Sequence, residues 1–346
     1  RDIAQGRGCA AIATEYLDGI GYEVNSDDEI VKISLDELND IYAKLHEAYP
    51  DKEVYRPGTG SMNQFSNVDA LGGNVFGVLL DYGQNLDVVN LFESDFYKDY
   101  CARLYDYNQK GYISADASTD TTAVGELVKA GTLMSYTTGG KPGIKAQETT
   151  LTGRDMTIFQ TLDDYIGSTS VAGMPWTIPI SAQHKEAAMK FLNECYSNAD
   201  VANLLAWGIE GTHYKIGDDG LATYADGVDA SNSGWNHSMG WMMPNQFLTH
   251  VWEGNDPDLW DKMRDFNNNA KVSKASGFSF DSTNVANEIT AVQNVYNEYQ
   301  TSVEYGFVEP ETGIAEMNDK MMAAGLQKII DEKAAQLAAW QEANKK

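Results

Sequence analysis

Cysteine is scarce in this 346-residue chain: three in all, Cys9, Cys101 and Cys195. Their wide spacing contains no CxxC pair and no His/Cys cluster of zinc spacing, so neither a zinc site nor a disulfide framework is encoded. Cys101 and Cys195 fall on apolar faces of predicted helices and are expected as buried free thiols, a single disulfide being the alternative. Long apolar runs are missing too. Nothing reaches the ~18 residues that a membrane-crossing helix needs. Cations are few, 25 Lys and Arg against 51 Asp and Glu, a net charge of −26. Such a charge repels phosphate backbones and anionic lipid, so no nucleic-acid partner is expected. The motifs G-x-S-x-G and H-E-x-x-H do not occur, and no acidic run has EF-hand spacing. "GRGCAA" (Gly6 to Ala11) matches a loose dinucleotide fingerprint, but only five residues precede it, too few to show the strand that the motif requires. "TTGGKPG" resembles a phosphate loop superficially, with Pro142 where a hydroxyl should follow the lysine. No cofactor or metal is therefore expected. The chain opens on Arg1 without a methionine or a signal peptide, which reads as a processed or partial chain.

What is present is an ordinary globular composition, 42 % hydrophobic and 22 % charged, long enough for two domains. "SLDE" at Ser34 to Glu37 is a capping box, followed by Leu38, Ile41, Tyr42, Leu45 and Tyr49 at helical spacing until Pro50. Ser94 caps a second predicted helix carrying Tyr97, Tyr100, Cys101 and Leu104. Ala188, Phe191, Leu192, Cys195 and Tyr196 mark a third, Val201, Leu204 and Leu205 a fourth that closes at Gly208. Val285, Ile289, Val292, Tyr296 and Tyr299 mark a fifth, and Leu326, Ile330, Leu337 and Trp340 the last. Strands are predicted at 53–57, 74–80, 131–138, 156–161 and 173–181, with a hairpin turning at Asp219-Gly220. Helices alternating with short apolar strands give an α/β class, almost all helical beyond Leu259.

Aromatic residues carry the most functional information. Trp176, Trp207, Trp235, Trp241 and Trp252 fall between positions 176 and 252, three of them beside Gly or Pro in "MPWTIP", "AWGIEG" and "GWMMP". Rings in such places sit in loops at element ends, where ligand sites gather. Flat indoles stack on the apolar faces of sugars while Asn, Gln, Asp and Glu take the hydroxyls; the competing role is packing within or between domains. Glu210, between Trp207 and His213, is the acid best placed for sugar hydrolysis, which would need a second facing carboxylate. A loop residue bonded to local backbone or solvent is the simpler reading of it.

"KAGTLMSYTT" followed by "MPWTIPISAQHKEAAMKFLNECYSNADVANLLAWGIEGTHY" resembles the extracellular solute-binding proteins of ABC importers, family 1, with Gly173 to Leu192 as the strand and helix that carry the chain between lobes. "NQFLTHVWEGNDPDLWDKMRDFNNNAKVSKASGFSFDSTNVANEITAVQNVYNEY" is similar to the lipoprotein branch with a DUF3502 C-terminal region, "NQF" (245–247) and "GFSFD" (277–281) being its specific pieces. The resemblance covers nearly the whole chain. It implies a periplasmic-binding-protein-like two-lobe α/β fold (type II) with an incomplete first lobe and a helix-rich C-terminus. Residues 1–165 would be mostly lobe two, 166–240 a returning lobe-one segment with the hairpin, and 241–346 a crossing segment and the C-terminal helical region. It implies a monomeric, non-enzymatic capture protein for a small-molecule solute, an oligosaccharide first. The solute would lie between two lobes and pass to ABC permease subunits at the extracellular face of a membrane, where a lipid anchors the full-length protein. The family pattern places ligand contacts at Arg56, Thr59, Tyr136, Thr138, Trp176, Trp207, Glu210, Trp235, Asn236, Trp241, Asn245, Gln246, Phe280 and Asp281. A peptide or amino-sugar binder of the same fold, and a secreted glycoside-active enzyme using Glu210, are the other readings.

Overall fold

The computed structural model describes residues 3–24, 29–58, 60–235 and 240–345. The chain divides into two units, one of residues 4–171 and 270–346, the other of residues 1–3 and 172–269. The stretch from 241 to 269, read from the sequence as the start of the C-terminal part, therefore folds with 172–240.

The larger unit is built on a mixed sheet. Strand β1 (Gln5–Ala13) lies at its centre, antiparallel to β4 (Leu133–Gly140) on one side and β5 (Met156–Gln160) on the other. β2 (Val31–Lys32) adds in parallel to β5, and β3 (Glu53–Arg56) in parallel to β4. A second path runs from β1 to β6 (Asp164–Ile166) and on to β9 (Lys271–Val272). Cys9, Ala10, Ala11, Ile12 and Ala13 are fully buried, as a central strand covered on both faces should be. "GRGCAA" is thus part of a buried strand and not a phosphate-binding turn. Its glycines serve close backbone approach: a Cβ on Gly6 would lie 2.8 Å from the α carbon of Gly140 opposite.

Helices cover this sheet where their caps and apolar faces predict. α2 (Leu35–Ala48) starts at Ser34, whose hydroxyl accepts from the Glu37 amide at 3.1 Å, and buries Leu38, Ile41, Tyr42 and Leu45. α4 (Asp95–Gln109) starts at Ser94, which accepts from the Tyr97 amide at 3.2 Å, and buries Tyr97, Tyr100, Cys101 and Leu104. α10 (Ala286–Glu304), α11 (Pro310–Ala323) and α12 (Leu326–Ala343) join the same core through Val292, Tyr296, Met317, Met321, Ile329 and Ile330. α11 has Pro310 at its first turn and a Glu309 side chain accepting from the amides of Glu311 and Thr312 at 3.1 and 2.8 Å.

Two predicted strands do not form. Residues 74–80 make only isolated bridges, Asp69 to Leu79 and Val78 to Val89, because Gly77 takes a left-handed φ of 88° and breaks the extended run. Residues 173–181 join no strand; Pro175 and Pro179 lack the amide that a ladder needs, and the segment is largely exposed.

The smaller unit holds α7 (Lys185–Ser197), α8 (Ala199–Trp207), the hairpin β7 (Tyr214–Ile216) and β8 (Ala222–Tyr224), and α9 (Leu259–Asn269). The hairpin turns through Gly220 at φ 82°. α7 is unusual for an amphipathic helix. Only Cys195 of its apolar face is buried, whereas Met189, Phe191 and Tyr196 are about half-exposed. All three cysteines are buried and free, as their helix faces implied for Cys101 and Cys195; Cys9 lies on β1.

Candidate functional site

In the larger unit β3, β4 and β5 run in one direction and end at Arg56, Gly140 and Gln160, beside the amino end of β1. Ligands of open α/β sheets bind outside such carboxyl ends. Arg7 reaches into this edge from β1. Its Nη1 donates to the Asn63 carbonyl, its guanidinium lies 5.4 Å from the Tyr165 ring centre, and its buried Nε has no protein acceptor. Burial pulls the Arg7 pKa down, while Tyr165 and Asp69 act to raise it. Next to Asn63, at the end of the short helix Ser61–Gln64, the buried Oε1 of Gln64 has no protein donor. A buried donor and a buried acceptor left unmatched at a strand edge are groups for a polar ligand or water to satisfy.

The other polar residues of this edge are spent on its architecture. Arg56, 6 % exposed, is held by both Glu53 oxygens at 2.7 and 2.6 Å and by Asp120 at 3.0 Å. Hydrogen bonds from the Thr122 hydroxyl and amide, then from Arg56, hold the partly buried Asp120 down at about 2. Tyr136 is 3 % exposed and donates to the buried Glu148, to which Thr138 also donates at 2.9 Å. Burial first, then the Glu148 carboxylate, pushes the Tyr136 hydroxyl up, so it stays a donor. The sequence reading offered Arg56, Tyr136 and Thr138 as direct ligand contacts. In the structure their groups are paired inside the fold, because a buried charge or hydroxyl must find a partner there. The loop after β3 is shaped by Ser61, which accepts from the Gly58 amide at 2.7 Å and bonds Thr137 at 3.0 Å, while Tyr55 bonds the same Thr137 oxygen at 2.6 Å. Thr59 lies outside the described residues.

The smaller unit gathers the tryptophans along the segment 242–250. Trp176 donates its indole N–H to the Met242 carbonyl at 2.7 Å, Trp260 to Thr249 at 2.7 Å, and Trp207 to His250 at 3.1 Å. Asn203 braces the same segment, donating to Leu248 at 3.3 Å and accepting from the His250 amide at 2.8 Å. Trp207 lies 4.7 Å from Trp252, which also meets Tyr224 in a T-shaped contact at 4.9 Å. Each indole bonded to this segment has its only donor occupied and its orientation fixed. What remains to present is ring surface. Trp176 presents most of it, 44 % exposed, and Trp235, beside Gly208 and outside this bonded set, is exposed to the same degree.

Gly208 makes part of this arrangement possible. At φ 83° and ψ −143° it admits no ordinary side chain, and a Cβ there would lie 2.7 Å from His213 Nδ1 and 2.8 Å from Trp235. His213 in turn accepts from the Ile209 amide at 2.9 Å. Glu210 is exposed in the turn between α8 and β7, where its backbone bridges to Tyr214. Asn245 caps a short turn by accepting from the Phe247 amide at 3.2 Å and donates to the Tyr196 carbonyl at 2.9 Å. Gln246 is buried against Gly240. Asn236 and the Trp241 side chain lie outside what is described.

Phe280 and Asp281 belong elsewhere. Phe280 packs beside Gly72, and Asp281 accepts from the Thr283 amide and hydroxyl at 2.9 and 2.5 Å ahead of α10. Arg7 and Gln64 escaped the sequence reading: Arg7 sits inside a motif read for its glycines, and Gln64 carries no motif. Among the described residues, no three His, Cys, Asp or Glu side chains gather as a metal site, and no helix is long and apolar enough to cross a membrane.

Comparison with known proteins bears on the fold. A family described as a domain of unknown function (DUF3502) matches residues 274–342. A carbohydrate ABC transporter substrate-binding protein of Streptococcus pneumoniae is 25 % identical over 306 residues, 86 % of this chain and 61 % of that protein. The chain thus spans about three fifths of that relative's length. The crystal structure of the N-glycan transport solute-binding protein NgtS from Streptococcus pneumoniae superposes with a TM-score of 0.83 at 22 % identity, covering 99 % of this chain and 74 % of that one. The same protein in complex with Man1GlcNAc superposes at 0.77 and 22 % identity, covering 99 % and 75 %. The resemblance read from the residues is borne out in its DUF3502 segment and in its fold, a mixed α/β solute-binding-protein fold rich in helix.

Proposed function

We propose that the full-length protein is the substrate-binding component of an ABC importer and captures an oligosaccharide. The observation that carries this reading is the set of indoles fixed along 242–250 with their N–H groups already bonded to backbone carbonyls. Such rings recognise apolar faces, and sugar rings offer those in a polar molecule. The unmatched Arg7 Nε and Gln64 Oε1 supply a donor and an acceptor suited to hydroxyls. The relatives support the same direction, one described as a carbohydrate ABC transporter substrate-binding protein and one solved with Man1GlcNAc. Mannose- and N-acetylglucosamine-containing glycans are therefore the first ligands to try. The protein would act outside the membrane and hand its solute to permease subunits. Capture needs no covalent step, and Glu210 lies in an exposed turn. Of the fourteen contacts read from the sequence, we propose Trp176, Trp207 and Trp235 as the stacking residues.

The test is a pair of alanine variants in the full-length protein, each measured by calorimetric titration with a Man–GlcNAc oligosaccharide and by melting temperature. Trp176→Ala should weaken binding at least ~10-fold, the loss of about 1.4 kcal/mol, and leave the melting temperature nearly unchanged, since its ring is half-exposed. Trp207→Ala, which also removes the contact to Trp252, should lower both. Unchanged affinity in both variants would remove the stacking role.

A further inference from the structure

Lys333, on α12, is fully buried. Lysine is almost never found so deep without partners. Its ammonium donates to the carbonyls of Ala70, Asn74 and Gly77 at 3.0, 3.0 and 2.9 Å and to the Asn74 side-chain oxygen at 3.0 Å. It also lies 5.5 Å from the centre of the Phe280 ring, whose face favours a cation. Four oxygens at one radius around a single point form a cation-coordinating shell.

The loop that supplies them is closed and strained so as to point carbonyls inward. Asp69 and Leu79 exchange both backbone hydrogen bonds, at 2.8 and 2.9 Å, across its neck. Between them Leu71, Gly72, Gly73 and Gly77 all take left-handed φ values of 53°, 123°, 104° and 88°. The Asp69 carboxylate is used to fix the neck, accepting from the Leu71 amide at 3.0 Å, the Ser168 amide at 2.9 Å and the Ser168 hydroxyl at 2.7 Å. Burial pulls Lys333 down to about 7, against a raising influence of Asp69. The oxygen shell acts in the same sense as Asp69, because an ammonium carries three N–H groups for it and a neutral amine only two.

We propose that the loop from Asp69 to Leu79 is a cation-binding loop whose resident cation is the tethered ammonium of Lys333. By inserting that ammonium, the C-terminal helical segment orders a part of the α/β unit that no strand or helix ladder holds. This gives the DUF3502-matching region a task in this chain: the segment 274–342 closes the loop beneath it. The packing is consistent. Leu71 and Leu79 share a core with Ala275, Phe278 and Leu337, and a Cβ on Gly77 would lie 3.3 Å from the Ile330 backbone. Once the tether is cut, the loop should take a free primary ammonium ion.

The experiment compares Lys333→Met and Lys333→Ala with the parent in the full-length protein. Lys333→Met keeps bulk but removes the charge, and should lower the melting temperature and speed amide exchange at 70–78. Lys333→Ala should regain stability with propylammonium chloride, which replaces the lost side chain, beyond the effect of equal 1-propanol and equal sodium chloride. A methionine variant as stable as the parent, or equal responses to propylammonium and 1-propanol, would overturn the proposal. The parent protein supplies an independent readout if the variants do not fold. Under an amine-acylating reagent Lys333 should remain unmodified after the surface lysines are saturated, with slow exchange at 70–78. Acylation of Lys333 at the surface rate, or fast exchange across the loop, would overturn it equally.

Discussion

Several buried polar residues, among them Arg56, Glu148 and Lys333, are surrounded by matched partners, and Glu304 shows what such a setting implies for pH. It is 2 % exposed at the end of α10 and accepts from Tyr296 at 2.6 Å, Gln300 at 3.1 Å and Tyr97 at 3.2 Å. Burial raises its pKa, and the three donors oppose the rise without cancelling it. The folded state therefore holds a proton at pH values where the unfolded chain has released it. The stability this contributes is complete below the ordinary glutamate range and is lost as pH rises through the higher folded value. Glu304→Gln keeps the shape and removes the titration. Urea unfolding of parent and variant between about pH 4 and pH 8 should show the parent's advantage shrinking as pH rises. A difference independent of pH would mean that Glu304 titrates normally in the fold.

Among the elements, the helices with polar caps were legible in the sequence and the sheet was only partly so. Ser34 and Ser94 announce α2 and α4 because a hydroxyl that bonds the first-turn amides is a local interaction, written within four residues. The centre of the sheet was not legible. β1 is mostly Gly and Ala, of low strand preference, with a single Ile, and only pairing with β4 and β5 extends it. The reverse failure is 74–80, apolar and β-branched, where Gly77 and the insertion of Lys333 impose a loop. The candidate site divides in the same way. Trp176 and Trp207 could be found from their Gly and Pro neighbours, whereas the roles of Arg7 and Gln64 come from distant partners. Contacts between elements also predict which glycines matter. Gly306, between α10 and α11, has φ 74°, and a Cβ there would lie 2.2 Å from the Leu104 carbonyl of α4. Gly153 closes α6 (Ile144–Thr152) at φ 65° with nothing within 4 Å. Gly153→Ala should cost about 1–2 kcal/mol of left-handed strain, and Gly306→Ala roughly 4 kcal/mol or more as the helices are forced apart. Similar losses in denaturant unfolding would show that the α4 contact is not tight.

At the scale of the whole molecule, the net charge of −26 disfavours anionic partners, and both units present surfaces suited to a neutral polar ligand. One unit offers a sheet edge with an unmatched donor and acceptor, the other a row of fixed indoles. Neither requires a nucleophile, a metal or a proton relay. The central claim, capture of an oligosaccharide without turnover, is tested most directly by calorimetric titration of the full-length protein with a panel of neutral oligosaccharides and charged peptides, together with an assay for released reducing ends. The account predicts saturable binding of an oligosaccharide and no release. Binding confined to peptides, or reducing-end release that is lost in Glu210→Gln, would contradict it.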